Sequence, residues 1–104
     1  MKRTIHQFHA NVVSRDAIGG NMFAIQKELR RLGYESEIFC HTFSEDVKNQ
    51  IIPFSQYHRH SSPGQLLIIH YSISFPDLDK VLALPEKKIL VYHNWMYGSK
   101  MKKR

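Results

Sequence analysis

Histidines mark the ends of the apolar segments that the sequence predicts to be strands: His9, His41, His70 and His93. Because the carboxyl ends of parallel strands meet at one edge of a sheet, we expect these four side chains to lie along one rim. A histidine there can donate to a phosphate or a sugar hydroxyl, act as acid or base near neutral pH, or bind a metal. The alternative is that each is a solvated polar residue where the chain leaves the core.

A metal site is not expected among these residues. The sequence has no closely spaced pair of histidines on a predicted helix and no pair of cysteines, since Cys40 is the single cysteine. Cys40 lies within an apolar segment, and we expect it to be a small buried side chain rather than a nucleophile.

A second candidate site lies at the first strand-to-helix junction, at Arg15, Gly19, Gly20 and Asn21. Glycines let backbone N–H groups approach a ligand closely, and a helix amino end carries partial positive charge, so this place suits a phosphate or a carboxylate. The fingerprints G-x-G-x-x-G and G-x-x-x-x-G-K-[ST] are absent. The alternative is that the glycines serve only to pack the helix closely on the sheet.

The first forty residues read as strand, helix and strand. Residues 4–8 are strand-forming and residues 9–17 form a polar loop; the apolar positions Ile18, Met22, Ile25, Leu29 and Leu32 then recur at helical spacing and predict one buried stripe. Gly33 ends this helix, and residues 34–40 form the next strand. The crossover of such a unit is right-handed and its strands are parallel.

The remaining segments repeat the alternation of strand and helix. Residues 44–49 suggest a helical turn, residues 51–54 an edge strand because of Pro53, and residues 55–65 an exposed loop. Residues 66–71 and 88–93 read as strands buried on both faces. Between them a helix begins at Ser74, Pro76 and Asp77, buries Leu78, Val81 and Leu82, and ends at Pro85.

This pattern predicts an α/β protein, a Rossmann-like three-layer α/β/α sandwich with a mostly parallel sheet of about four or five strands. We assign residues 1–94 to a single domain and residues 95–104 to a carboxy-terminal extension. A length of 104 residues excludes a complete two-domain enzyme. The single cysteine, and the lack of a signal peptide or an apolar run near the ~18 residues of a membrane span, predict a cytoplasmic protein.

The charge of +6 is concentrated at the carboxyl end. Residues 100–104 hold four of the fifteen Lys and Arg residues, which leaves eleven bases against nine acids elsewhere. Such a tail is either a solvated end or a weak binder of nucleic acid or of an anionic membrane surface. The sequence lacks an RNA-binding aromatic signature, a zinc pattern and a basic heptad region.

Taken together, these segments resemble the amino-terminal domain of GT-B fold glycosyltransferases, in particular the retaining group called family four. The matching segments are residues 5–8, 15–20, 28–39, 69–72 and 88–94. The resemblance implies two Rossmann-like domains facing each other across a cleft, the amino-terminal one holding the acceptor. The carboxy-terminal one binds most of the nucleotide-sugar donor.

The same resemblance assigns roles to individual residues. Gly19 and Gly20 match the glycine loop near the donor phosphates and the acceptor, and His93 matches the catalytic histidine near the transferred sugar. His70, Tyr71 and Asn94 line the acceptor side. No tightly bound cofactor and no metal are implied, and the acceptor is a sugar or a glycolipid.

Two departures from the family pattern bear on function. The chain stops soon after Asn94, so we expect the donor-binding half to be absent and sugar transfer to require a carboxy-terminal domain. Residues 55–65 are barely long enough for a parallel crossover, so the family's helix there is expected to be shortened or lost. Pairing with such a domain, or self-association at the sheet edge near Trp95, Met96 and Tyr97, is a further expectation.

Two alternatives remain open at this stage. One is a small α/β binding module that takes an anionic ligand, nucleic acid or a membrane surface through its strand-end residues and basic tail. The other is an independent small enzyme that uses the rim histidines.

Overall fold

The computed structural model describes residues 3–13, 15–71 and 78–92. The strands are β1 (Ile5–Phe8), β2 (Asn11–Val12), β3 (Ile38–Cys40), β4 (Thr42–Phe43), β5 (Ile52–Pro53), β6 (Leu66–Tyr71) and β7 (Lys87–Tyr92). The α-helices are α1 (Ala17–Arg31) and α2 (Leu78–Leu82), and 3-10 helices span Glu45–Val47 and Phe54–Arg59. The predictions for Ser74, Pro76, Asp77, His93, Asn94 and residues 95–104 lie outside the described residues.

The central sheet has five strands in the order β5-β3-β1-β6-β7, and every pairing is parallel. Numbered along the chain, these strands run 3-2-1-4-5, which is the order that opens a doubly wound Rossmann sheet. The direction of winding reverses between β1 and β6. The predicted α/β fold is therefore confirmed, and the position of the reversal identifies where a ligand crevice forms in such sheets.

Each face of the sheet has its own apolar cluster because side chains alternate along a strand. Under α1 the buried residues are Val12, Ile18, Met22, Ile38, Cys40, Val47 and Ile51. On the opposite face they are Phe8, Phe39, Tyr57, Leu67, Ile69 and Val81. The 3-10 helix at Phe54–Arg59 and α2 pack on this second face. With α1 on the first face, they make the three layers of an α/β/α sandwich.

The helix α1 begins and ends close to the predicted positions. The Asp16 carboxylate caps the start of the helix by accepting a hydrogen bond from the Ile18 N–H at 3.3 Å. After the end of the helix, Gly33 adopts the left-handed conformation, with φ of 99°. The predicted stripe is wrong at its end, because Leu32 is 61% exposed. Leu32 is the C-cap residue, one position past the last residue of α1, and it lies outside the apolar cluster under the helix.

The strand β7 is an edge strand, not the doubly covered strand that its apolar sequence predicted. Ile89, Leu90 and Tyr92 are 47%, 56% and 55% exposed, and among the described residues β7 pairs only with β6. Leu82 of α2, expected on the buried face, is 41% exposed, whereas Val81 is fully buried. Because Ile89 and Leu90 face opposite sides of the sheet, both faces of β7 carry exposed apolar side chains.

The segment predicted as a polar loop after β1 contains a strand. β2 pairs in parallel with β4, and the backbone N–H groups of His41 and Thr42 both donate to the Ala10 carbonyl oxygen at 3.0 Å. Two residues opposite one is the geometry of a β-bulge. The bulge separates the β1–β3 ladder from its continuation in β2 and β4, at the carboxyl end of the sheet.

The crossover before β6 is more ordered than the exposed loop predicted there. Residues Phe54–Arg59 form a 3-10 helix, and Tyr57 within it is 2% exposed. The crossover helix is therefore short, as the segment length indicated.

Neither α-helix in the described ranges could span a membrane. The longer, α1, has fifteen residues, fewer than the roughly 20 apolar residues that a span needs. Binding of an anionic surface by residues 100–104 stays a prediction.

Candidate functional site

Two of the predicted rim histidines meet where the strand order reverses. His9 follows β1 directly, and its Nδ1 donates to the His70 backbone carbonyl oxygen, which is 2.9 Å away near the end of β6. A carbonyl oxygen only accepts, so Nδ1 carries the proton of this ring. The bond joins the carboxyl ends of β1 and β6, the place where open α/β sheets bind ligands.

The His70 ring is held from inside the fold. It is fully buried, and its Nε2 donates to the Gln7 Oε1 at 2.7 Å. Gln7 in turn donates from Nε2 to the Met22 carbonyl oxygen at 2.9 Å. This chain of hydrogen bonds ties β6 to β1 and to α1, so His70 positions the rim. A direct contact between the His70 ring and a ligand stays a prediction.

Aromatic side chains line the rest of the carboxyl edge. The half-buried His41 ring packs edge-on against Phe8 and Phe54, with ring centroids 5.4 and 5.2 Å away. Tyr71 at the end of β6 lies beside Tyr92 at the end of β7, with ring centroids 5.5 Å apart. Tyr71 is half-buried and Tyr92 exposed, which gives this edge an accessible aromatic pair.

The two glycines at the start of α1 have different surroundings. Gly19 is buried, and a Cβ there would collide with the carbonyl oxygen of Val13. Gly19 is therefore required for close packing, the alternative that the sequence left open. Gly20 is exposed with nothing within 4 Å of a Cβ built on it, and Arg15 and Asn21 are also exposed. Contact of these residues with a phosphate stays a prediction.

Cys40 is the small buried side chain that the sequence indicated. It is fully buried in the cluster under α1, and burial raises the pKa of its thiol to about 11. A thiol at that pKa is protonated at neutral pH and is a poor nucleophile.

A polar cluster that the sequence did not reveal lies near the opposite, amino-terminal edge. Glu86, just before β7, is 1% exposed and accepts hydrogen bonds from the Tyr57 hydroxyl and from the Ser61 hydroxyl, the latter at 3.0 and 3.1 Å to its two oxygens. Burial, assisted by Glu86, raises the pKa of Tyr57. These bonds anchor the crossover segment to the turn before β7.

His6 lies beside this cluster on β1. It is 4% exposed, and its Nδ1 accepts from the Glu37 backbone N–H at 3.0 Å. Burial, reinforced by the charge of His60, lowers the pKa of His6 to about 4, against an opposing influence of Glu86. The ring is therefore neutral at pH 7, with its proton on Nε2.

A concavity of about 770 Å³ opens at this amino edge, a size typical of small-molecule sites. Its walls come from the start of β1, the end of α1, the segment before β3 and residues 59–65. Ser36 and Gln65 belong to its wall, and each has a buried oxygen, Ser36 Oγ and Gln65 Oε1, without a hydrogen-bond partner among the described residues. Such a group costs about 1–3 kcal/mol when it is left unsatisfied.

Comparisons with protein-family models, curated proteins and solved structures find no match to the chain. In the described ranges there is also no group of three His, Cys, Asp or Glu side chains that could hold a metal ion. The structural features that bear on function are therefore the strand order and the geometry of the two sheet edges.

The sequence predicted the polar residues at the carboxyl edge of the sheet but not the polar cluster at the amino edge. The rim histidines follow apolar strands, which is a local signal. Glu86 follows Pro85 and reads as part of a turn, and residues 59–62 read as loop. Only the folded sheet brings Glu86, Tyr57 and Ser61 together.

Proposed function

We propose that the chain is the acceptor-side domain of a glycosyl transfer site of the GT-B type. The observation that carries the proposal is the reversal of strand order between β1 and β6, with the two strand ends joined by the bond from His9 to His70. This edge is where a Rossmann-like domain binds its ligand. It is also where the family that the sequence resembles holds its acceptor.

The residues along this edge suit a sugar acceptor and a donor phosphate. The Tyr71 and Tyr92 rings offer aromatic faces against which the C–H groups of a sugar ring can pack. Arg15, Gly20 and Asn21 are exposed around the start of α1, where a cation and the helix amino end favour an anion. In this proposal they help to stabilise the diphosphate that departs from the donor.

Catalysis is assigned to His93 and acceptor binding to Asn94 as well as to Tyr71. His93 follows the last residue of β7 in the sequence, next to Tyr92. The donor is a nucleotide-sugar that a carboxy-terminal domain holds, and the acceptor is a saccharide or a glycolipid. The 104 residues alone are expected to bind these ligands weakly and to transfer no sugar.

The first experiment maps binding on the ¹⁵N-labelled chain by NMR, with UDP-glucose and GDP-mannose as probes. The amides of residues 15–21 and of His70 and Tyr71 are expected to shift, while those of Ser36, His60 and Ser61 at the amino edge stay in place. Absence of any shift at the carboxyl edge contradicts the proposal. Shifts confined to residues 100–104 favour the binding module for anionic ligands instead.

A second experiment tests the catalytic assignment. The chain is joined to the donor-binding domain of a family-four glycosyltransferase, and sugar release from the nucleotide-sugar is measured. We expect activity only in the joined protein, and a loss of about a hundredfold or more in His93→Ala. The control is His58→Ala, an exposed histidine in the 3-10 helix Phe54–Arg59. Equal activity of His93→Ala and the parent contradicts the assignment.

A further inference from the structure

The helix α1 covers only one half of its face of the sheet. Gln7 of β1 donates to the Met22 carbonyl oxygen, so α1 lies over the middle strand. Phe23 packs on the cluster beneath α1, and Arg30 donates to the Ser36 carbonyl oxygen shortly before β3. This side of the helix therefore faces β3. On the same face, no helix among the described residues lies over β6 and β7.

The uncovered half of this face is apolar. Side chains alternate along a strand and paired residues of parallel strands share a face, so Ile68 and its partner Ile89 lie on the same face as Gln7. Val91 is the next residue of β7 on that face. Ile89 is 47% exposed, while Ile68 and Val91 are half-buried, and none of the three belongs to either buried cluster. The strands β6 and β7 thus form an open apolar floor beside α1.

The side of α1 that faces this floor is also apolar. Successive helical residues turn by about 100°, so Ile25 and Leu32 lie on the other side of the helix from Phe23 and Arg30. Ile25 is half-buried and Leu32 is exposed. The wall and the floor together form one apolar slot, lined by Ile25, Leu32, Ile68, Ile89 and Val91. The six residues of β7 extend about 20 Å, a length that a helix of about 13 residues spans.

The amino-terminal end of the apolar slot is positively charged. Arg3 and Lys87 line a small cavity of about 260 Å³ there, together with Ile5. In the described part of the chain neither of these two cations forms an ion pair, and the buried Glu86 bonds to Tyr57 on the opposite face. A helix that runs in the same direction as α1 ends here. Its carboxyl end, which carries partial negative charge, would meet the two cations.

The outer side of α1 argues against a second copy of the chain as the occupant. This side exposes four residues that are small or charged: Gly20, Ala24, Lys27 and Arg31. If α1 of another copy filled the apolar slot, it would bury two cations against apolar side chains, which is costly without a partner charge. The occupant that fits is a helix with one apolar side.

We propose that the apolar slot binds an amphipathic helix of a protein partner, and that the last turn of this helix carries acidic side chains. Apolar residues three and four apart in such a helix pack on Ile68, Ile89 and Val91. Its acidic end meets Arg3 and Lys87. The apolar slot lies on the α1 face of the sheet, so this proposal does not depend on ligand binding at the carboxyl edge.

The test is NMR titration of the ¹⁵N-labelled chain with two synthetic amphipathic peptides of about 15 residues, built from alanine and leucine. One peptide ends in glutamates, and the other has lysines at the same positions. We expect the glutamate-ended peptide to shift the amides of Leu32, Ile68 and Ile89 in a saturable manner and to bind about tenfold tighter than the lysine-ended one. The proposal is overturned by the absence of a saturable shift at these amides up to about 1 mM peptide. Equal or tighter binding of the lysine-ended peptide overturns it as well.

Matched variants on the two faces of β7 connect the binding to the apolar slot. Ile89 and Leu90 are 47% and 56% exposed on the same edge strand, but Leu90 pairs with Ile69 and lies on the opposite face. We expect Ile89→Ser to weaken binding of the glutamate-ended peptide about tenfold or more, and Leu90→Ser to bind it as the parent does. Equal losses in the two variants overturn the assignment of the apolar slot.

The charged end and the identity of the occupant have their own controls. Lys87→Gln should reduce the difference in affinity between the two peptides about threefold or more, whereas Lys27→Gln, on the outer side of α1, should keep it. Equal behaviour of these variants overturns the role of Lys87. Analytical ultracentrifugation tests the second copy directly. A dimer of the parent that Ile89→Ser dissociates and Leu90→Ser keeps would overturn the choice of a partner helix.

Discussion

Adjacent glycines at the start of α1 offer a matched pair of substitutions. A Cβ on Gly19 would meet the carbonyl oxygen of Val13, whereas a Cβ on Gly20 meets nothing within 4 Å. We expect Gly19→Ala to lower the free energy of unfolding by about 1–3 kcal/mol. Gly20→Ala should raise it by about 0.5–1 kcal/mol, because alanine favours a helix. Urea unfolding followed by circular dichroism checks both values, and equal effects contradict the close packing of Gly19.

The neutral state of His6 makes stability depend on pH. Burial and the neighbouring His60 lower its pKa to about 4 in the folded chain, whereas the pKa of a histidine in an unfolded chain is about 6.5. Protonation therefore favours the unfolded chain, so the contribution of His6 is complete above about pH 6.5 and declines as the pH falls towards about 4. We expect the free energy of unfolding to decrease across this window.

Urea unfolding at several pH values measures that decrease. The His6→Gln variant should show a smaller decrease than the parent, because the titrating group is gone. A His6→Gln slope equal to that of the parent contradicts the assignment.

Two serines at the amino edge differ in their bonding and therefore in their expected effects. Ser61 donates to the buried Glu86, so Ser61→Ala should lower the free energy of unfolding by about 1–3 kcal/mol. Ser36 Oγ has no partner among the described residues, so Ser36→Ala should leave stability unchanged or raise it by about 1 kcal/mol. Thermal unfolding of both variants, compared with the parent, measures these two changes in stability. A loss in Ser36→Ala as large as that in Ser61→Ala would show that Ser36 is satisfied internally.

At the scale of elements, the 3-10 helix Phe54–Arg59 depends on its bond to the turn before β7. Tyr57→Phe removes the hydroxyl that donates to Glu86 and leaves that buried carboxylate with Ser61. We expect a loss of about 1–3 kcal/mol in the free energy of unfolding. Tyr92→Phe, at an exposed tyrosine, should change it by less than about 0.5 kcal/mol. Similar values for the two variants would mean that the Tyr57 bond adds nothing.

Features set by residues close together in the sequence were predictable. Features that depend on packing or pairing with segments distant in the sequence were not. The helical spacing that predicted α1 and the glycine stop at Gly33 are both local features of the sequence, and the structure agrees with them. The exposure of β7 depends on which element lies over it, which its own apolar residues do not specify. The pairing of β2 with β4 also depends on a bulge between segments thirty residues apart in the sequence.

At the scale of the whole molecule, the alternation of strands and helices predicted a parallel sheet, and the strand order confirms it. The residues of the carboxyl edge were predictable because each of them directly follows, or ends, an apolar strand that the sequence reveals. The amino edge was not, because its concavity combines His6, Ser36 and Gln65 from segments that the sequence reads separately. Its unsatisfied atoms become visible only when the surrounding bonds are known.

The most direct test of a glycosyl transfer site at the carboxyl edge compares nucleotide-sugar binding by two variants of Gly20. Open space beside Gly20 lets either side chain fit without disturbing the fold. We predict that Gly20→Ala keeps the dissociation constant for UDP-glucose or GDP-mannose within about threefold of the parent. Gly20→Asp, which adds a negative charge where the diphosphate is expected, should weaken binding about tenfold or more. Parent-like affinity of Gly20→Asp for both nucleotide-sugars, or no binding by the parent, would contradict this location of the site.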